Sequence, residues 1–242
     1  MENARSRTIQ ILTILSLLAL TITSGCLETP DATPAKASND ALSKYGWVQV
    51  GDVVYESQEE EITGTVIKIN TAMMTYQDEQ LGQKIQEELR NLQNQYNVQA
   101  DTQLPLPGSQ LTTLRLVLPG GFSLPSGVTS RLVDSQVDTL ADQNNIDNFK
   151  KVGDREITVK DGSTITANTY AGAIPLDDNN GASIDVMGII AMWSGSNSNV
   201  IVIGIVPDGD INLNMEAIEK TIITIDGEAE IENILELIKT IE

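Results

Sequence analysis

The sequence of residues 184–206 is IDVMGIIAMWSGSNSNVIVIGIV, in which two apolar runs flank a short polar segment. Val186 to Trp193 and Val200 to Ile203 carry apolar side chains at consecutive positions, as expected of strands that are buried on both faces. The segment Ser194-Gly195-Ser196-Asn197 has the composition of a tight turn, which joins antiparallel neighbours. We therefore predict a central pair of antiparallel strands that needs other elements packed on both of its faces.

The C-terminal segment can supply one of these covers. Asp226-Gly227 breaks the chain just before it. An apolar stripe of helical spacing then follows, formed by Ile231, Ile234, Leu235, Ile238 and Ile241. The acidic side chains of the same segment would repel the headgroups of anionic lipids. The pattern therefore predicts an amphipathic closing helix that packs on the sheet.

The other segments alternate between strand and helix patterns. The predicted strands are residues 48–55, 62–69, 111–118, 156–159 and 164–173, and the predicted amphipathic helices are residues 78–96 and 129–144. Glu59-Glu60-Glu61 is predicted to be a solvated turn between the first two strands. Together these elements predict an α+β fold, with an antiparallel sheet flanked by amphipathic helices.

Two turns give the second half of the chain a resemblance to a known fold. Pro119-Gly120-Gly121-Phe122 follows one strand, and Val152-Gly153-Asp154-Arg155 precedes the next ones. With its order of strand, helix, four-strand meander and closing helix, the chain from residue 111 onward resembles the PsbP-like sandwich. Members of that fold are mostly accessory or assembly factors without a shared active site. The resemblance therefore implies a non-catalytic role, by fold analogy alone.

The N-terminus has the pattern of a secretory signal peptide. Arg5 and Arg7 precede a mostly apolar run at residues 9–22. A membrane-spanning helix needs roughly 20 apolar residues, so this shorter run is typical of the apolar region of a signal peptide.

The residues after this run resemble the lipobox of prokaryotic lipoproteins. They are Thr23-Ser24-Gly25-Cys26, and Thr23 stands where that family usually has Leu, Val or Ile. The resemblance implies that residues 1–25 are removed and that Cys26 carries the lipid. The alternative is an uncleaved signal anchor in which Cys26 has no special role. The chain also resembles uncharacterised archaeal membrane lipoproteins whose folded part has this arrangement.

The composition of residues 27–43 predicts a flexible tether that begins at the lipidated Cys26. This stretch is rich in Pro, Thr, Ala and Asp and has no apolar periodicity. Residues 44–242 then form a single α+β domain, or two halves at 44–110 and 111–242 that share a sheet.

The charged and reactive residues exclude several classes of function. The chain has 34 acidic and 15 basic side chains, no histidine and one cysteine. It therefore contains no Ser-His-Asp triad, no Cys-His pair, no imidazole-ligated zinc site and no iron–sulfur cluster. A net charge of -19 disfavours binding to nucleic-acid phosphates. Such acidity is typical of proteins from saline habitats, and the alternative is a binding face for a cation-rich partner.

One segment has the oxygen spacing of a calcium loop. Counting from Asp208, oxygen-bearing side chains occupy positions 1, 3, 5, 7, 9 and 12, with Glu216 at position 9. The predicted ligands are Asp208, Asp210, Asn212, Asn214 and Glu219. Leu213 stands at position 6, where a calcium loop has glycine. The alternative is a polar loop between a strand and a helix, in which an Asp or Asn caps the helix. No other cofactor is predicted.

These observations predict a secreted, lipid-anchored protein that acts as a non-catalytic binding or scaffold domain at the outer face of the cell membrane. Its predicted contacts are membrane lipid, through Cys26, and another envelope protein. The alternative is a cation-dependent or carboxylate-based envelope enzyme, because a pair of acids can hydrolyse glycosides.

Overall fold

The computed structural model describes residues 29–62, 65–96, 108–121, 137–176, 183–195, 197–215 and 218–242. The predicted signal peptide and Cys26 lie outside these ranges. No helix within them is both long enough and apolar enough to cross a membrane.

The core of the fold is an antiparallel sheet, which confirms the predicted sheet type. Its eight strands are β1 (Trp47–Ile62), β2 (Thr65–Asp78), β3 (Gln110–Val117), β4 (Asp147–Thr158), β5 (Thr164–Pro175), β6 (Ser183–Ser194), β7 (Asn199–Met215) and β8 (Ile218–Ile225). Their order is β1-β2-β3-β7-β6-β5-β4, and β8 pairs with the second half of β7. β1 and β4 are the edges. Because β2 pairs with β3, the sheet contains strands from both predicted halves of the chain.

Helices pack on both faces of this sheet. They are α1 (Asn39–Tyr45), α2 (Glu79–Tyr96), α3 (residues 137–144) and α4 (Gly227–Ile238). We call the face covered by α1 and α4 the first face, where their apolar residues pack with Val202 and Ala191. The face covered by α2 and α3 is the second face, where Ile85 packs in one cluster with Ile205 and Val186. The two faces explain why β6 and β7 are apolar at consecutive positions.

The central strand pair is buried on both faces, as predicted. Ile189 and Ile190 in β6 are both inaccessible to solvent, and so is Val202 in β7. Gly204 lies where α4 comes closest to the sheet, because a Cβ atom there would be 2.9 Å from Cδ1 of Ile234. The missing side chain therefore lets the closing helix lie against β7.

The closing helix also forms as predicted. Asp226 caps it by accepting a hydrogen bond of 3.1 Å from the backbone N–H of Ala229. All five residues of the predicted stripe are buried, and Leu237 joins them.

The acidic run of β1 is not a turn, so that prediction is wrong. Glu59, Glu60 and Glu61 pair with β2, and the pairing continues to Ile62 opposite Thr65. β3 ends opposite Asn70, so no third strand of the described residues pairs with the hairpin beyond that point. Glu59 is exposed there, and an exposed strand pair can carry acidic side chains.

The prediction of a flexible tether is wrong for residues 29–43. Ala35 is inaccessible to solvent, and its carbonyl oxygen accepts a 2.6 Å hydrogen bond from Oγ1 of Thr113. The backbones of Lys36 and Glu242 exchange two hydrogen bonds of 3.2 and 3.1 Å. Ser38 then caps α1. The segment packs because its small alanine side chains fit closely on the sheet while its backbone groups find partners.

Candidate functional site

Two acidic side chains that are far apart in the sequence meet where β2 ends. Asp78 is the last residue of β2, and Glu230 lies in the first turn of α4. Ser109 joins them, because its Oγ donates to Oε2 of Glu230 at 3.0 Å and its carbonyl oxygen accepts from the backbone N–H of Asp78 at 2.9 Å. Asp78 is only 4% exposed and Ser109 is inaccessible. We call Asp78 and Glu230 the acid pair.

Asp78 is fixed in place by the start of α2. Its Oδ1 accepts a hydrogen bond of 2.9 Å from the backbone N–H of Leu81. The helix predicted from residue 78 therefore begins one residue later, with Asp78 as its cap.

The environment of the acid pair favours the protonated state. Burial raises the pKa of both carboxyl groups. The negative charge of Asp78 raises the pKa of Glu230 further, whereas backbone hydrogen bonds from Leu81 and Gln80 partly lower that of Asp78. Two neighbouring carboxylates resist double ionisation. We therefore expect Glu230 to keep its proton to a higher pH than an ordinary glutamate does, and to donate it to Asp78 while it is protonated.

Glu230→Gln is expected to stabilise the domain at neutral pH. Since the pKa of Glu230 is raised on folding, the folded state binds its proton more tightly than the unfolded state does. That stabilisation is complete below the ordinary glutamate pKa of about 4.3 and is lost as the pH rises through the raised pKa. Glutamine keeps a hydrogen-bonding group and cannot ionise. Thermal melts from pH 4 to 8 should show a melting temperature that depends less on pH than that of the wild type.

The control for this comparison is Glu232→Gln, because Glu232 is exposed on the same helix. It removes the same formal charge, so it accounts for the general relief of repulsion in an acidic protein. Equal pH profiles for the two variants would contradict the raised pKa of Glu230.

The acid pair does not open onto the cleft beside it. A groove of about 590 Å³ runs between α2 and β1, with Val48, Gln77, Gly82 and Gln86 in its lining. Gln77 and Asp78 are consecutive in β2, so their side chains point to opposite faces of the sheet. A substrate in this groove would meet the second face, whereas Asp78 points to the first. The acid pair is therefore better placed to hold α2, β3 and α4 together than to act on a substrate in the groove.

The groove continues onto an exposed row of apolar side chains on the edge strand. Val48, Val50 and Val54 in β1 are 39%, 45% and 42% exposed. They pair with alternate residues of β2, which places all three on the second face. We call these three residues the β1 row. Among the described residues, the other exposed large apolar side chains are Tyr55, in the same strand, and Val152, in β4.

The predicted calcium segment forms a strand pair. β7 extends through Met215, and its second half pairs with β8, which the sequence analysis did not predict. The oxygen spacing of 1, 3, 5 and 7 is also the period-2 pattern of a strand. Ile211, between the polar residues, is buried, and this alternation could have identified the strand.

The described oxygens of this segment have protein donors. The carboxylate of Asp210 accepts from Oγ1 of Thr224, and Oδ1 of Asn212 accepts from Oγ1 of Thr221 at 2.8 Å. Asp208 accepts from the backbone N–H of Gly227 at 2.9 Å, so this acid does help to cap the following helix. The side chains of Asn214 and Glu219 lie outside the described part of the structure.

Within the described ranges, no group of three or more acidic, cysteine or histidine residues is placed to hold a metal ion. Calcium binding by the segment as a whole stays a prediction.

A family model described as "Domain of unknown function (DUF6517)" matches residues 34–242. The chain belongs to this family. A search of the curated proteins found no match to it. The DUF6517 match begins beside the buried Ala35 and ends at Glu242, whose backbone pairs with Lys36. The family domain thus includes part of the segment that was predicted to be a tether.

Proposed function

We propose that this DUF6517 protein is secreted, lipid-anchored through Cys26, and acts as a non-catalytic binding or scaffold domain at the outer face of the cell membrane. The basic start, the apolar run and the small residues before Cys26 support the anchor. The absence of histidine and of a second cysteine from the sequence supports a role without histidine-dependent catalysis or a histidine- or cysteine-ligated zinc ion. The excess of acidic residues fits a surface that stays soluble in strong salt.

We also propose that the chain is related to the PsbP-like fold and to archaeal membrane lipoproteins. The order from β3 onward is strand, Pro119–Gly121 turn, helix, four antiparallel strands and closing helix. This order supports a PsbP-like sandwich, with β8 as an addition before α4. The signal segment supports membership among archaeal membrane lipoproteins.

The observation that carries the binding role is the β1 row. An edge strand offers unpaired backbone groups to an incoming strand, and the β1 row adds exposed apolar side chains next to a groove. Asp52, Glu56 and Glu59 in the same strand are exposed and acidic. A second copy of this chain would bring like charges together. We therefore assign as partner an extended segment of another envelope protein, in which Lys or Arg residues alternate with apolar ones.

The anchor is tested with Cys26→Ser. We expect this variant to lose labelling by a radioactive lipid precursor and to keep the wild-type melting temperature, because Cys26 precedes the packed segment that starts at Thr29. Labelling and flotation with membranes are the two measurements. A wild-type protein without lipid that retains residues 1–25 by mass spectrometry would contradict the anchor.

The binding surface is tested with a synthetic peptide that alternates valine and lysine. We expect it to bind the purified domain, whereas a peptide alternating valine and glutamate should not bind. The double variant Val50→Ser, Val54→Ser should weaken binding about tenfold, which corresponds to roughly 1.4 kcal/mol. Val152→Ser is the matched control, because Val152 is 60% exposed on the opposite edge strand. Equal binding of the two peptides, or equal effects of the two sets of variants, would count against this surface.

The second candidate is a carboxylate-based envelope enzyme, and the acid pair is the observation that favours it. Buried carboxyl groups with raised pKa values occur at catalytic sites as well as in structural networks. Glu230→Gln separates the two functions, because we expect it to fold and to be stabilised. A deletion strain that Glu230→Gln fails to complement, while the Val50 and Val54 variant succeeds, would favour the enzyme.

A further inference from the structure

The N-terminal segment is fixed to one rim of the sheet. Oγ1 of Thr29 donates to the carbonyl oxygen of Lys68 at 2.7 Å. The side-chain amide of Asn70, which is 5% exposed, donates to the carbonyl oxygens of Thr29 and Pro30 at 3.2 and 2.8 Å. From there the segment runs over the first face, where Ala32 packs with Ala72 and Val117. The described chain is therefore held against the sheet from Thr29 onward.

The register of the strands shows which rim this is. Asn70 pairs with Val117, the last residue of β3. Asn199, the first residue of β7, pairs with Leu116 and with Ser194, the last residue of β6. We call this rim the near rim. It contains three turns: residues 118–121 after β3, the turn between β6 and β7, and residues 159–163 between β4 and β5. The acid pair lies at the opposite, far rim.

Few residues separate the near rim from Cys26. Only Leu27 and Glu28 lie between Cys26 and Thr29. Three residue steps of extended chain span at most about 10 Å. A lipid on Cys26 would therefore hold the near rim within about 10 Å of the membrane surface, which the predicted tether of residues 27–43 would not have done.

The hairpin of β1 and β2 extends beyond the near rim, in the direction that leads away from the far rim. Its strands stay paired from Ser57 opposite Asn70 to Ile62 opposite Thr65, beyond the end of β3. We call residues 57–62 and 65–69 the arm. Five residues of strand at about 3.3 Å each make the arm about 17 Å long. This exceeds the reach of the linker, so an arm directed toward the bilayer would meet it.

We infer that the near rim and the arm form the membrane-contacting surface of the anchored domain. This inference rests on the proposed lipid anchor. The headgroup layer is about 5–8 Å thick on each side of the hydrocarbon core, so the arm either enters it or lies along it. Charge does not decide this orientation, because both rims carry acids. Asp78, Asp185, Asp208 and Asp226 are at the far rim, while Glu59 to Glu61 accompany Lys68 in the arm and Asp161 follows Lys160 at the near rim. The orientation therefore rests on the length of the linker.

The test couples the only thiol of the chain, Cys26, to a maleimide-bearing lipid in vesicles of phosphatidylcholine, which has no net charge to repel the acidic arm. This tether forms whether or not the cell lipidates Cys26. We expect amide hydrogen exchange to slow several-fold at Ser57 to Glu59 and at residues 160–163, relative to Cys26→Ser protein mixed with the same vesicles. Exchange at Ser183 to Val186, on the far rim, should not change. Protection at the far rim, or none in the arm, would overturn the inference.

A longer linker is the matched control. A Gly-Ser insert of 20 residues between Glu28 and Thr29 reaches on the order of 22–27 Å as a coil. It should remove the protection of the arm while the protein still floats with the vesicles. Protection that survives the insert would show that linker length does not place the arm. Lipid labelling of the cellular protein tests the anchor separately, so failure of the anchor and failure of the orientation give different results.

Discussion

Replacing Ile234 with aspartate is expected to unfold the domain. Ile234 is inaccessible to solvent and lies against Gly204 of β7, where α4 comes closest to the sheet. A buried carboxylate without a partner costs several kcal/mol, and the truncated side chain adds a cavity. Domains are stable by roughly 5–15 kcal/mol in total, so this one change removes much or all of the stability. Circular dichroism during thermal and urea unfolding is the measurement.

The matched controls separate burial of the carboxylate from the helix propensity of aspartate. Glu232→Asp puts aspartate two residues earlier on the same helix, at an exposed position, and should change stability by less than about 0.5 kcal/mol. Ile234→Val keeps an apolar side chain and should cost about 0.5–1.5 kcal/mol. A wild-type melting temperature for Ile234→Asp would mean that α4 is not packed as described, and its apolar stripe would become a candidate binding surface.

The elements with continuous apolar patterns were predictable from the sequence. β6, β7 and α4 contribute half of the buried residues on the first face, and the apolar spacing of the helix differs clearly from that of the two strands. A strand that is buried on both faces needs apolar residues at every position, and a helix on a sheet needs them on one stripe. Both patterns involve residues that are close together in the chain, so they can be recognised in a single sequence.

The acid pair was not predictable in the same way. Asp78 and Glu230 are separated by most of the folded chain, and each is one acid among many. Their meeting depends on where α4 crosses the end of β2, which is a property of the assembled sheet. The sequence does indicate that Asp78 caps a helix, because it is an acid just before a helical pattern. It does not indicate that Asp78 contacts Glu230.

The strand pair β7–β8 was missed because two structures share one sequence pattern. Polar residues at every second position fit the ligands of a calcium loop and also the exposed face of a strand. Leu213, in place of the glycine of a calcium loop, favoured the strand. The isoleucines at Ile222, Ile223 and Ile225 provide the buried partner residues on β8.

The N-terminal segment was missed because its packing uses small side chains and backbone hydrogen bonds. Ala32, Ala35 and Ala37 are all buried, yet alanine and proline next to Thr and Asp have the composition of a linker. The segment has no periodicity because it is neither a helix nor a strand. Its partners are Thr113, Tyr76 and Glu242, which come from distant parts of the chain.

Ala35→Asp tests this segment directly and has the second largest expected effect. Ala35 is inaccessible to solvent, and its carbonyl oxygen is bonded to Thr113. A larger, charged side chain at this position must either be buried without a partner, at a cost of several kcal/mol, or detach the segment from the sheet. Each kcal/mol lowers the melting temperature of a domain of this size by roughly 2–4 °C. We therefore expect a decrease of about 10 °C or more.

Thr33→Asp is the matched control for this variant. Thr33 is exposed two residues earlier in the same segment, and its Oγ1 accepts a hydrogen bond from Nη1 of Arg115, which aspartate can also accept. The two variants add the same charge to the same segment, but Ala35→Asp buries it, whereas Thr33→Asp leaves it exposed beside Arg115. If both keep the wild-type melting temperature, residues 29–38 are a tether after all. The reach of the anchor would then increase, and the near rim would no longer be held at the membrane surface.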